Sequence, residues 1–135
     1  MDFSDCTVMV IDDEQYYRTS IVAVIKYHIK CNILEYSDGQ SALNYLRTHD
    51  NPDLIILDLK MPYMSGLDLL VEIRKDPLLY KIPVIPFTQY TDSDIVKQLL
   101  KLKICDYIVK GLDLQSIVGK IRRALSQIKY NESID

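Results

Sequence analysis

Short apolar runs alternate with segments of helical periodicity from one end of this chain to the other, and no other feature narrows the possible folds as much. Thr7 to Ile11 is the first run. After it, Ile21, Val24, Ile25, His28 and Ile29 recur at i, i+3, i+4, i+7 and i+8, which places one apolar stripe on a helix from about Glu14 to Lys30. Asn32 to Tyr36 reads as a second strand. Ala42, Leu43 and Leu46 mark a shorter helix that ends near His49, ahead of the turn signal Asn51-Pro52. Leu54 to Leu57 is a third strand, and its unbroken apolar run suits burial on both faces, as in the middle of a parallel sheet. Leu67, Leu70, Val71 and Arg74 carry the third helix. Val84 to Phe87 and Tyr107 to Val109 complete the strands, with Asp92 or Ser93 capping a helix of Ile95, Val96, Leu99 and Leu102 between them. Ile117, Val118, Ile121, Ala124, Leu125 and Ile128 form the last helix. This alternation predicts an α/β protein, a three-layer (α/β/α) sandwich around a five-stranded parallel sheet with right-handed crossovers.

Composition excludes more than it selects. A chain of 135 residues, 48% hydrophobic and 26% charged, suits one domain with an ordinary core and is neither disordered nor of low complexity. That domain is expected over residues 1–128, and the polar stretch 129–135 is expected to fray or to begin a linker. The longest apolar run, Ile21 to Ile25, is far below the roughly 18–20 residues of a membrane span. The start Met1-Asp2-Phe3-Ser4-Asp5 has no secretory pattern, so a cytoplasmic location is expected. Cys6, Cys31 and Cys105 have no metal-type spacing and read as small core hydrophobes. The net charge of −3 argues against a binder of nucleic acid or anionic membrane, and 13 of the 19 acidic side chains fall in residues 1–83.

Polar residues at the carboxyl ends of the predicted strands form an informative set: Asp12 and Asp13, Asp58, Thr88, and Lys110. Each has an ordinary explanation alone. An acidic pair caps a helix, an aspartate ends a strand, a threonine caps a turn, and a lysine is a solvated charge. In open parallel sheets, however, ligands bind outside the carboxyl ends of the strands where strand order reverses. With the flavodoxin-like order 2-1-3-4-5 the set converges, and Asp58 is central. Three ionised carboxylates held together need a cation, and few hard oxygen ligands with room for water favour Mg²⁺. Beside such an ion Asp58 could attack phosphorus while Thr88 and Lys110 grip the phosphoryl oxygens.

These residues resemble the receiver domain of two-component response regulators over about residues 5–128. The similarity lies in Val8-Met9-Val10-Ile11-Asp12-Asp13-Glu14, in Leu54-Ile55-Ile56-Leu57-Asp58-Leu59-Lys60-Met61-Pro62 with Gly66, in Pro83-Val84-Ile85 leading to Thr88, and in Asp106-Tyr107-Ile108-Val109-Lys110. The resemblance implies that Asp58 accepts a phosphoryl group from a sensor histidine kinase or a phosphotransfer protein, with Mg²⁺ required. It implies Asp13 and Asp58 as direct metal ligands, Asp12 largely through water, Lys60 through its backbone carbonyl, and Thr88 and Lys110 on the phosphoryl group. It further implies a switch through Thr88 and Tyr107 that alters the face of the fourth helix, fifth strand and fifth helix, a face also available for homodimerisation. Lys60 and Tyr90 occupy places that flank the route of hydrolytic water, and Tyr90 is expected to cover the phosphoaspartate.

Four departures from the family pattern carry their own expectations. Gln89 stands where Ala or Gly is usual and would crowd the phosphoryl group or donate to it. Gly111 replaces a Pro and should loosen the loop that carries Lys110. Pro86 should bulge or break the fourth strand. Lys103-Ile104 makes a poor turn before the fifth. Among other functions possible on this fold, a dehalogenase-like phosphatase would need a second Asp where Lys60 stands, and Asp12-Asp13-Glu14 would repel a flavin phosphate. A degenerate receiver acting as a phosphorylation-independent protein-binding module remains the alternative, and no enzymatic role beyond self-phosphorylation and self-dephosphorylation is expected.

Overall fold

The structure, a computed structural model, describes residues 1–89 and 92–134. Its elements are β1 (Thr7–Ile11), α1 (Gln15–His28), β2 (Asn32–Tyr36), α2 (Gly39–Thr48), β3 (Leu54–Leu57), α3 (Gly66–Lys75), β4 (Val84–Thr88), α4 (Ser93–Lys101), β5 (Ile108–Val109) and α5 (Leu114–Ile134). The strands form one parallel sheet in the order β2-β1-β3-β4-β5. This is the flavodoxin-like topology expected from the sequence.

Period-two alternation of side chains builds a core on each face of the sheet. Val8, Val10, Leu54 and Ile56 point to one side, where α1 supplies Ile21 and Ile25 and α5 supplies Ile121 and Leu125. Met9, Ile11, Ile55 and Leu57 point to the other, against Leu46 of α2, Leu69 and Ile73 of α3, and Leu99 of α4. Side chains set the helix starts. The Asp38 carboxylate accepts from the Ser41 amide at 2.8 Å, and the Asp92 carboxylate accepts from Ile95 at 2.9 Å. Ser65 and Asp68 form a reciprocal capping box at α3.

Several sequence expectations are corrected. The buried stripe of α3 is Leu69, Leu70 and Ile73, with Leu67 and Val71 only half-buried. Arg74 joins this region through its guanidinium, which donates to the carbonyls of Leu102 at 2.7 Å and Ile82 at 2.8 Å. Only Leu99 of α4 is buried. Pro86 neither bulges nor breaks β4, since it pairs in register with Leu57. The carbonyls of Val84 and Thr88 face the β5 side, accepting from Cys105 and Lys110, so the Pro86 nitrogen between them also faces that side. β5 begins only opposite Phe87, one position after the proline. The turn before β5 forms despite its sequence, with Lys103 in the left-handed region at φ 56°. α5 runs as helix to Ile134, through the polar stretch expected to fray or to begin a linker, and Lys129 within it pairs with Asp5. Cys6 is buried as expected, Cys31 is half-buried, and Cys105 is exposed. No helix among the described residues is long and apolar enough to cross a membrane.

Candidate functional site: a carboxylate pocket at the strand ends

The tips of four strands meet because each tip residue extends the ladder by one bond. Asp12 donates its amide to Tyr36 of β2 at 3.1 Å, Asp58 to Ile11 of β1 at 2.9 Å, and Lys110 to Thr88 of β4 at 2.8 Å. Thr88, fully buried, pairs with Val109. The backbone therefore brings these residues to one end of the sheet.

Asp58 is further constrained from behind. Gly66, the first residue of α3, lies so close that a Cβ there would stand 1.9 Å from the Asp58 carbonyl oxygen. The Gly66 amide donates to Leu59 at 2.9 Å, closing the connecting loop beneath the pocket.

The Lys110 ammonium, with its side chain 1% exposed, lies 3.0 Å from Asp12 Oδ2, 3.3 Å from Glu14 Oε1 and 3.5 Å from Asp58 Oδ1. Its other side meets rings, with the Tyr17 centroid at 4.3 Å and that of Phe87 at 5.4 Å. Asp12 Oδ1 accepts from the Glu14 amide at 2.9 Å, and the Asp12 carbonyl accepts from Arg18 at 2.7 Å. Asp13 Oδ1 and Asp58 Oδ2 are buried and find no hydrogen-bond donor among the described residues.

Burial, followed by the neighbouring Asp12 charge, pushes the Asp58 carboxyl up to about 7, against the opposing pull of Lys110. For Lys110, burial works against the charged form, but Asp12, Asp58 and Glu14 outweigh it and move its pKa upward, so it remains an ammonium. Oxygens of Asp12, Asp13, Glu14 and Asp58 lie within 4.8 Å of one another. Orphaned buried oxygens in such a cluster, all hard donors, fit a divalent cation.

Asp12, Asp13, Asp58, Thr88 and Lys110 thus come to the same end of the sheet. Lys60, two residues after Asp58, is exposed. Tyr107 is half-buried against the core of α2, α3 and α4. Gln89 is exposed and donates its amide to the Tyr17 hydroxyl at 2.9 Å. Tyr90 lies outside the described residues. Sequence reasoning missed Glu14 and Tyr17 as members of the site. Glu14 is the N-cap residue of α1, yet its side chain makes no capping bond and reaches Lys110. Tyr17 stands four residues before Ile21, on the inward stripe of α1, a spacing that already pointed it toward the sheet.

Comparison with known proteins agrees with this geometry. The response regulator receiver domain family matches residues 8–122, and the chain belongs to that family. It is 32% identical over 124 residues to the transcriptional regulatory protein HptR of Staphylococcus aureus, covering 87% of this chain and 47% of that protein. The chain therefore spans about half the length of that relative. Among solved structures, a DNA-binding response regulator of the LuxR family from Staphylococcus aureus superposes with a TM-score of 0.79 at 27% identity, covering 89% of this chain and 98% of that one. A response regulator receiver protein from Pseudomonas putida shares the fold, with a TM-score of 0.80 at 24% identity over 88% of this chain and 97% of that one. A receiver domain is a signalling domain rather than an enzyme of the usual kind.

Proposed function

We propose that this receiver domain accepts a phosphoryl group on Asp58 from a phosphohistidine of a sensor kinase or phosphotransfer protein, and that the acyl phosphate switches a partner-binding or output-binding surface. One observation carries the reading: among the described residues Asp58 Oδ2 is buried without a donor, while its companion oxygen stands 3.5 Å from a buried ammonium. An oxygen free of donors keeps its lone pairs for attack on phosphorus, and the leaving imidazole takes the bonding electrons. Lys110 is placed to receive the negative oxygens that arrive, and Thr88 offers a hydroxyl from the neighbouring strand tip.

Asp13 and Asp58, with Asp12 through water and the Lys60 carbonyl, would hold Mg²⁺. When bound, that ion supplies positive charge that keeps Asp58 ionised and screens the carboxylates from the incoming phosphoryl group. Thr88 and Tyr107 act as the switch pair, and the face of α4, β5 and α5 serves as the responding surface and as a homodimer interface. Lys60, Gln89 and Tyr90 tune the phosphoryl lifetime. Nucleic acid and membrane are not partners of this domain, and it works in the cytoplasm.

Intact mass after incubation with acetyl phosphate tests the reading. A gain of one phosphoryl group that needs Mg²⁺ and disappears in Asp58→Asn is expected. No gain in folded wild-type protein would overturn it and favour a domain that binds partners without phosphorylation.

A further inference from the structure

Lys110 is boxed on two sides by different chemistry. Carboxylates of Asp12, Glu14 and Asp58 hold its charge, and the Tyr17 ring covers its other side at 4.3 Å from the centroid. The ring packs against the core on the α1 and α5 side and meets Tyr16 and Phe87 edge-on, at 5.2 and 6.1 Å between centroids, but a cavity of about 210 Å³ also borders it, between Ser20 and Val24 of α1 and Gly111 and Leu112 of the loop after β5. Gly111 lines this space without a side chain. The ring thus has room to swing off the ammonium. Besides those ring contacts, a hydrogen bond from Gln89 Nε2 to the Tyr17 hydroxyl, 2.9 Å long, opposes the swing and joins the end of β4 to the first turn of α1.

We propose that Tyr17, tethered by Gln89, is a positioning residue that holds the Lys110 ammonium against the pocket at the place where it meets a phosphoryl group. The inference rests on the phosphoacceptor reading above. Tyr17 touches neither the reacting oxygen nor the phosphoryl group and acts through Lys110. Gln89 donates its amide to this tether.

A stable phosphoryl mimic separates this role from a merely structural one. Calorimetric titration would measure Mg²⁺ alone and then fluoroberyllate in the presence of Mg²⁺, on wild type, Gln89→Ala, Tyr17→Phe and the double variant. Each single variant should bind fluoroberyllate about two- to tenfold more weakly, the range one net hydrogen bond supplies, with a clearly smaller change for Mg²⁺. The double variant should be no weaker than the weaker single one, because both remove the same bond. Tyr17→Leu, which also removes the ring, should lose more. Unchanged fluoroberyllate affinity, or equal losses for the mimic and for Mg²⁺, would overturn the proposal and leave the phosphoacceptor reading standing. Wild type that binds Mg²⁺ but no fluoroberyllate would overturn both.

Discussion

At Asp58 the demands of folding and of chemistry conflict. Burial and the Asp12 charge hold its carboxyl at about 7, whereas an aspartate in an unfolded chain titrates near ~3.9. Between these values the metal-free native state binds the proton that the unfolded chain has already lost, so stability falls as pH rises and levels off above about 7. Asn at this position carries no such penalty. In chelator, Asp58→Asn should therefore gain on wild type as pH rises from about 4 to about 7, by on the order of 3 kcal/mol. Urea denaturation of both proteins at several pH values measures this, and a pH-independent difference would contradict it. Gly66 shows a second constraint at the same residue. A methyl group there meets the Asp58 carbonyl at 1.9 Å, a backbone atom with no rotamer to yield. Gly66→Ala should cost on the order of 2–3 kcal/mol, read as a lower denaturation midpoint at unchanged slope.

Among the elements, those with unambiguous local signals were legible in the sequence. β1, β2 and β3 begin and end where the apolar runs do, and Asp92 caps α4 as expected. Legibility failed where a neighbour decides the outcome. In α3 the apolar residues Leu67, Leu69, Leu70, Val71 and Ile73 offer two overlapping stripes, and packing against α2 and the sheet selects Leu69, Leu70 and Ile73. Pro86 looked like a strand breaker because nothing local says how short β5 is. Lys103 takes a left-handed conformation because the chain must turn from α4 into β5, whatever residue stands there. Lys103→Gly should relieve that strain and stabilise the domain by about 0.5–1 kcal/mol in thermal or urea unfolding. Gly111, at φ 95°, already has the residue such a conformation needs.

Across the whole molecule, the pocket is a product of strand order. Asp12, Asp58, Thr88 and Lys110 are scattered over about a hundred positions, and only the reversal between β1 and β3 makes their strand tips neighbours. The rule that ligands gather at such reversals is why the set was legible before any coordinates. The part that was not legible, Glu14 on Lys110 and Gln89 on Tyr17, consists of side-chain contacts between elements. Their partners are set by tertiary placement, which no spacing along the chain encodes. Chemical trapping reads directly whether Asp58 is the acceptor. An aspartyl phosphate reduced with borohydride becomes homoserine, so wild type treated with acetyl phosphate and Mg²⁺, reduced and digested should yield homoserine at position 58 by peptide mass spectrometry. Homoserine at position 12 or 13 instead, or at none of the three in protein that has gained a phosphoryl group, would contradict it.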